Sequence, residues 1–306
     1  MVLELDGSAA WPHGAARPAV AIGNFDGVHT GHRAVLAELK RLSDDLGVAR
    51  AVLTFDPAPT AVLAPTRHQP RILTRHDRVE RLHEAGASIV IVEEFTRQFA
   101  EQEAGWFANT LLRGRLNVAG VVVGYDFRFG RGRGGDAEAL QRLLPEIPVI
   151  AVPPHRDDGE PVSSSRVRRL VAAGDVEGAA RLLGRPHILH GPVVHGDHRG
   201  STIGFPTANI SSRVELLPAR GVYVVRASLA DGRSVIGVTN VGVRPTFDGQ
   251  ENRIEVHLLD FAGDLYGQEL RIELLHRLRG ELRFPDIGAL VAQITADVSA
   301  ARNLRA

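Results

Sequence analysis

The stretch AVAIGNFDGVHTGH, residues Ala19–His32, decides the fold of the first half of the chain. Its first four residues are all apolar, a pattern typical of a buried strand in a parallel sheet. A loop with two histidines follows, and an amphipathic helix is predicted to begin at Gly31. In sheets with this strand–loop–helix order, ligands bind beyond the C-terminal ends of the strands, so this loop is a candidate for function.

Short apolar runs and amphipathic stretches alternate through the rest of this half. The apolar runs predict buried strands at Ala19–Ile22, Ala51–Phe55, Ser88–Val92, Val118–Gly124 and Ile147–Val152. Helical spacing predicts helices at Gly31–Leu46, Arg75–Ala85, Gln102–Arg113 and Asp136–Leu144. The alternation favours an α/β domain with a parallel sheet that helices cover on both faces.

The pattern changes after a helical stretch at Ser165–Leu183, which is interrupted near its middle and closed by Pro186. Short strands separated by turn clusters follow at Val193–His195, Val222–Ala227, Ser234–Val241, Ile254–Leu259 and Leu270–Leu275. These strands predict a small antiparallel β-barrel, and Asp286–Asn303 is predicted to form one C-terminal helix. We therefore expect two domains, residues 1–184 and 185–306.

Composition excludes several classes of protein. The chain has 306 residues and no cysteine, which removes disulfide scaffolds, thiolate metal sites and cysteine nucleophiles. Its formal net charge of zero argues against a nucleic-acid module driven by bulk charge. We find no run of about eighteen apolar residues and no secretory signal pattern, so we expect a soluble cytoplasmic protein without a membrane helix. Lys40 is the single lysine, so a P-loop is excluded.

The decapeptide GNFDGVHTGH leaves three interpretations open. His29 and His32 share one face at the predicted helix N-terminus, where free N–H groups and the helix dipole favour phosphate. Gly27 and Gly31 would let a polyanion approach the backbone closely. Alternatively, the two imidazoles and Asp26 begin a metal site, or the segment is a solvated turn without function.

Several motifs together resemble those of the prokaryotic bifunctional riboflavin kinase/FAD synthetases. The decapeptide is similar to the nucleotidyltransferase motif GxFDxxHxGH. Further matches are FDPAP (Phe55–Pro59), GYDFRFGRGRGGD (Gly124–Asp136), SSSRVR (Ser163–Arg168) and HGDHRGSTIGFPTANI (His195–Ile210). The segments GVYVV, NVGVRPTF, IEVHLLDF, DLYG and LRGELRF continue in family order, so the resemblance covers nearly the whole chain.

For the first half, the resemblance implies a Rossmann-like nucleotidyltransferase domain that adenylylates FMN with ATP and releases pyrophosphate. His29 and His32 would hold the ATP phosphates and stabilise the transition state as catalytic residues. The other implied ATP-binding residues are Gly23, Asn24, Asp26, Gly31, Ser164, Ser165 and Arg168. The implied FMN-binding residues are Asp126, Phe127 and Phe129. Without the family match, the serines would be read as simple helix caps and the phenylalanines as core.

For the second half, the resemblance implies a riboflavin kinase-like barrel that phosphorylates riboflavin with ATP. Glu255 matches the family's catalytic base, and strand alternation places His257 on the same face. Thr207 and Asn209 match the family's Mg²⁺ and phosphate ligands, and oxygen ligands of this kind suit Mg²⁺. The remaining ATP phosphate contacts are implied at Gly200, Ser201 and Gly204. The expected cofactor is Mg²⁺, and the expected partners are the substrates ATP, riboflavin and FMN.

The match to the family is imperfect at three positions. Ala58 replaces the histidine of the FxPHP segment, which predicts weaker nucleotide binding in the transferase half. Ser165 replaces a threonine, and His187 stands where many members have a tyrosine. Two other functions therefore stay open: a riboflavin kinase whose transferase domain binds nucleotide without reacting, and a non-catalytic flavin-binding or sensing protein. The sequence leaves the oligomeric state open, with a homo-oligomer among the alternatives.

Overall fold

The computed structural model describes residues 3–12, 14–67, 69–196, 199–246 and 249–304. The chain divides into two compact units, Met1–Ser164 and Ser165–Ala306. The helical pair that the sequence places in the first domain belongs to the second unit, where Val176 packs in the core. The functional boundary expected at 184/185 stays a prediction.

The first unit is built on a six-stranded sheet in which all neighbouring strands are parallel. Its strands are β1 (Leu3–Asp6), β2 (Ala19–Ile22), β3 (Arg50–Asp56), β4 (Ile89–Glu94), β5 (Gly120–Gly124) and β6 (Val149–Val152). The parallel α/β fold is thus confirmed. Strand β1 was not predicted, because its sequence LELD alternates apolar and acidic residues and lacks the continuous apolar run of a central strand.

Helices connect these strands. They are α1 (Thr30–Leu46), α2 (Pro59–Leu63), α3 (Arg75–Glu84), α4 (Arg97–Ala100), α5 (Ala104–Trp106) and α6 (Ala137–Leu143). A π-helix, Phe107–Arg115, continues α5 where the sequence predicts an ordinary helix. Two short strands, β7 (Arg156–Asp157) and β8 (Glu160–Pro161), form a hairpin near the end of the unit.

The order of the strands fixes where this unit can bind a ligand. Across the sheet the order is β1-β4-β3-β2-β5-β6. After β2 the chain adds β3 and β4 on one side of that strand, and it then adds β5 and β6 on the other side. The crevice outside the carboxyl ends of β2 and β5 is therefore a topological switch point, the usual ligand site of open α/β sheets. The loops that follow β2 and β5 are the ones in which the sequence places the nucleotide and flavin residues.

The second unit contains a closed barrel with the strand order β10-β13-β12-β11-β14-β9, and all its neighbouring strands are antiparallel. The strands are β9 (His187–Val194), β10 (Ala208–Ile210), β11 (Gly221–Ser228), β12 (Ser234–Thr246), β13 (Gly249–Leu258) and β14 (Glu269–Arg279). The helices are α7 (Ser164–Ala173), which begins at the last residue of the first unit, α8 (Val176–Leu183), α9 (Arg199–Thr202) and α10 (Ile287–Asn303). The barrel and the C-terminal helix are confirmed.

Helix α10 covers part of the outer wall of the barrel. Val298 and Ala301 pack with Val222 and Val224 of β11 in a cluster separate from the barrel interior. The carboxylate of Asp297, which is buried, receives a two-pronged hydrogen bond from the β14 guanidinium of Arg279 at 2.8–3.1 Å. Among the helices of the described residues, α10 included, none has the length and apolar content to cross a membrane.

Candidate active sites

The loop after β2 ends in a histidine that caps helix α1. Nδ1 of His29 accepts a hydrogen bond from the backbone N–H of His32 at 3.2 Å. The two imidazole rings stack with their centroids 3.6 Å apart and their planes 14° from parallel. Because Nδ1 of His29 is an acceptor, a neutral His29 carries its proton on Nε2, where it can be donated to an anion.

The second histidine of this pair is held neutral. Burial, and to a smaller extent the neighbouring His29, keeps the pKa of His32 well below its ordinary value. Nδ1 of His32 is buried and has no hydrogen-bond partner among the described residues. The ring centroids of His32 and Phe25 lie 5.2 Å apart, with the ring planes at 61°. A positive charge on the His32 ring is therefore disfavoured.

The backbone between the strand and the histidines is strained. Phe25 and Val28 have positive φ angles of 49° and 41°, although neither is glycine, and both side chains are buried. Gly27, between them, has a φ of 87°. Such conformations cost free energy and persist where the surrounding structure determines them fully, as at ligand-binding loops.

Hydrogen bonds to segments distant in sequence fix this loop. The carboxylate of Asp26 accepts hydrogen bonds from the backbone N–H groups of Ile72 and Leu73 at 3.1–3.3 Å. The Ser164 hydroxyl donates to the Asp26 carbonyl at 2.8 Å. Asp26 thus acts as a loop anchor in this structure, and its expected contact with ATP or Mg²⁺ stays a prediction.

Two glycines of the motif have little space for a side chain. A Cβ added to Gly31 would lie 3.2 Å from the ring of His29 and 3.4 Å from the carbonyl of Val162. A Cβ on Gly23 would meet the Phe25 ring at 3.2 Å. Gly23 and Gly31 therefore leave room for the two rings that shape the loop.

The loop after β5 holds the residues expected to bind FMN, but they differ in exposure. Asp126 is exposed and Phe127 is half-buried, whereas Phe129 lies in the core at 6% exposure. The rings of Phe127 and Phe129 stack at 5.4 Å. Phe127 is consequently the ring that a flavin could reach, with Phe129 behind it as support. The binding role of all three stays a prediction.

Three other residues singled out from the sequence belong to other segments of the chain. Ser165 and Arg168 are in α7 and belong to the second unit, so their role in ATP binding stays a prediction. Ala58, in place of the family histidine, caps α2 without a side-chain hydrogen bond.

On the barrel, a row of polar residues crosses three neighbouring strands. Asn209 of β10 stands opposite Glu255 of β13, which in turn stands opposite Asn240 of β12. Ile254 and Val256 point into the core, so Glu255 faces outward, and His257 with it. We call Asn209, Glu255 and Asn240 the polar row. The sequence analysis missed Asn240, because its place in the row depends on strand pairing.

An arginine joins two members of the polar row. Nη2 of Arg253 lies 2.8 Å from Oε1 of Glu255, and Nε of Arg253 lies 3.4 Å from Oδ1 of Asn209. Oε1 of Glu255 and Oδ1 of Asn209 thus both face the Arg253 guanidinium. A carboxylate and an amide oxygen are also ligands of the kind that a hard metal ion prefers. Among the described residues, no group of three or more His, Asp or Glu side chains is arranged to hold a metal.

The segment before β10 is tightly folded. A Cβ on Gly200 would lie 2.3 Å from the carbonyl of Phe205 and 3.2 Å from Oγ1 of Thr207, so only glycine fits. The helix α9 forms where the sequence predicts a flexible loop, and Gly204 ends this turn with a φ of 87°. Ser201 lies in α9, and its side chain is outside the described part of the structure.

Comparison with known proteins shows which family the chain resembles in each half. The family model for riboflavin kinase matches residues 183–305, and the one for FAD synthetase matches residues 12–166. The bifunctional riboflavin kinase/FMN adenylyltransferase of Haemophilus influenzae is 39% identical over 287 residues, which are 93% of each chain. Its namesake from Pseudomonas fluorescens is 41% identical over 288 residues, 93% of this chain and 92% of the relative.

The chain belongs to the bifunctional riboflavin kinase/FMN adenylyltransferase family. Members of this family, this chain included, combine a riboflavin kinase with an FAD synthetase. A crystal structure described as a macrolide-efflux protein from Streptococcus pneumoniae has the same fold, with a TM-score of 0.90, 32% identity and 99% of both chains covered. The resemblance stated from sequence motifs is confirmed.

Proposed function

We propose that the chain makes FAD in two steps. The polar row serves the kinase, and the loop from Gly23 to His29, which we call the His29 loop, serves the adenylyl transfer. The observation that carries this assignment is that the two units hold separate polar clusters, each inside the region matched by the corresponding family model. The substrates are ATP with riboflavin in the first step, and ATP with FMN in the second.

In the kinase step, the ribityl hydroxyl of riboflavin attacks the γ-phosphorus of ATP and ADP leaves. Glu255 takes the proton of that hydroxyl as general base. Its pairing with Arg253 at 2.8 Å holds the carboxylate in one orientation. Thr207 and Asn209 supply the oxygens that would hold Mg²⁺, and bound Mg²⁺ neutralises the charge of the phosphates. The Gly200–Gly204 turn folds beside the phosphates.

In the transferase step, a phosphate oxygen of FMN attacks the α-phosphorus of ATP, and the bond to the leaving pyrophosphate breaks. No covalent intermediate with the protein is needed, so catalysis consists of positioning and charge stabilisation. Nε2–H of His29 donates to a phosphate oxygen, and the first N–H groups of α1 face the same anion. Phe127 offers its half-exposed ring to the flavin.

The boundary between the two functions is placed at 184/185. The riboflavin kinase family model begins at residue 183 and the FAD synthetase model ends at residue 166, which supports a boundary beyond α7. Within the segment between them, α8 packs on the barrel through Val176. Ser164, Ser165 and Arg168 keep the ATP-binding role that the family motif gives them in this proposal.

One assay tests the proposal. The full chain is incubated with riboflavin, ATP and Mg²⁺, and the flavins are separated by chromatography. We expect FMN to appear first and FAD to follow. FMN without FAD would mean that the transferase unit binds nucleotide but does not react, an alternative that the missing histidine at Ala58 favours. Unchanged riboflavin would overturn both enzymatic assignments and leave a flavin-binding protein.

A further inference from the structure

A buried arginine contacts the backbone of the His29 loop in the first unit. Arg78 of α3 is only 4% exposed. Its Nη1 donates to the backbone carbonyl of Asn24 at 3.3 Å, and its Nη2 lies 3.5 Å from Oδ1 of Asp56. Among the described residues, Nε and Nη2 of Arg78 have no hydrogen-bond partner.

A buried ion pair such as that of Arg78 with Asp56 is weak evidence for a role in stability. Taking a guanidinium out of water is costly, and an apolar side chain of similar volume often stabilises a protein as well or better. Burial lowers the pKa of Arg78, while the carboxylates of Asp56 and Asp26 oppose that shift. With two nitrogens lacking a hydrogen bond, the compensation is incomplete. The fold alone gives no good reason for an arginine here.

The loop provides the reason. The carbonyl of Asn24 accepts two hydrogen bonds, one from Arg78 and one from the fully buried hydroxyl of Thr54 at 3.1 Å. The residues with positive φ angles begin immediately after this peptide, at Phe25, and the loop ends at the cap residue His29. A strained loop keeps its shape only while such contacts hold it.

We infer that Arg78 is a positioning residue for adenylyl transfer, which fixes the Asn24 peptide and thereby the orientation of His29. This inference rests on the proposed function of the His29 loop. Arg78 also places a positive charge under a loop whose ligand is a polyanion, so its charge and its hydrogen bond act in the same direction.

The test compares three variants of the full chain, with FMN and ATP supplied and FAD measured. We expect Arg78→Met to lower kcat by about 100-fold, because the reacting groups are displaced. The KM for ATP should stay within about threefold of its original value, because the loss falls on the transition state. Arg78→Lys, which keeps the charge and a donor, should restore most of kcat. The matched control is Arg71→Met, because Arg71 pairs with the same Asp56 at 2.9 Å and is one-third exposed.

Riboflavin phosphorylation and thermal unfolding are measured on the same samples. Should Arg78→Met fail to fold, Arg78→Leu replaces it with the same expected loss of kcat, since it also lacks the donor and the charge. A kcat for Arg78→Met within about threefold of the original, or an equal loss in Arg71→Met, would overturn the inference. A loss of activity that the lysine variant does not restore would do the same. If a His29 variant also keeps full activity, the proposed function of the loop fails instead.

Discussion

The two candidate sites are built in opposite ways. The proposed transferase site takes its shape from the backbone: positive φ angles at Phe25 and Val28, closely packed glycines, and buried side chains that hold peptide groups. The kinase site takes its shape from strand register, which lines up Asn209, Glu255 and Asn240 on the outer wall of the barrel. A conformational motif should thus fail through loss of geometry, whereas a register-based site should fail through loss of one side chain.

The largest effect is expected at Glu255. Glu255→Gln keeps the size of the side chain but removes the general base, so kinase turnover should fall by about 100- to 10,000-fold. Formation of FAD from supplied FMN should not change. Glu273→Gln serves as control, because Glu273 is also half-buried on the barrel wall and pairs with Arg226 at 3.0 Å. Undiminished kinase turnover in Glu255→Gln would remove it from the role of base.

The second-largest effect, on FAD formation, is expected at His29. Asparagine can still cap α1 but lacks the Nε2–H donor, so His29→Asn should lower FAD formation from FMN by about 100- to 1,000-fold. Phosphorylation of riboflavin, followed in the same samples, should continue. Loss of both activities would contradict the separation of the two sites.

The third prediction concerns the helix that covers the barrel. Asp297→Ala leaves Arg279 without its buried partner, so the free energy of unfolding of the second unit should fall by about 3–5 kcal/mol. Asp260→Ala removes an exposed partner of the same helix, that of Arg302, and should cost about 0–1 kcal/mol. Denaturant unfolding gives both values. When Asp297→Ala is warmed, it should lose kinase activity at a lower temperature than transferase activity.

The smallest effect is a pH dependence confined to the second unit. Burial lowers the pKa of His187 to about 4, and its Nε2 donates to the carbonyl of Leu216 at 2.9 Å. Since the folded unit holds this ring neutral, protons favour the unfolded chain. Stability is complete above the ordinary histidine pKa of 6.5 and falls as the pH drops from there toward 4. The total loss is at most about 3 kcal/mol.

This dependence is tested by urea unfolding of the full chain between pH 4 and 7. His187→Gln keeps a donor for Leu216 and should flatten the curve, whereas His195→Gln, at an exposed position of the same unit, should leave it unchanged. A curve for His187→Gln as steep as that of the original protein would show that other groups cause the pH dependence.

The sequence predicted the fold where one residue pattern determines one environment. The continuous apolar run of β2 was enough, because all four of its side chains are buried. Strand β10 escaped prediction because its three residues are too short for a periodic signal, and β9 begins earlier than expected, at His187.

For the sites, the sequence motifs name candidate residues but not the groups that those residues contact. Arg78 and Asn240 lie far along the chain from the groups they join, so only the folded structure reveals them. Phe129 illustrates the reverse case. Its motif marked it as a flavin contact, and its burial in the core depends on packing that a local pattern does not contain.

The register of β13 has a consequence for how the gene can change. Glu255 faces outward because Ile254 and Val256 fill the interior, and the closed barrel leaves the strand no free edge along which to slide. Inserting or deleting one codon within β13 ahead of Glu255 would turn the carboxylate inward and a hydrophobic neighbour outward. A change of two codons would keep the facing. Length variation should therefore be tolerated in the turns between strands, while odd-numbered changes inside this strand should be lost by selection.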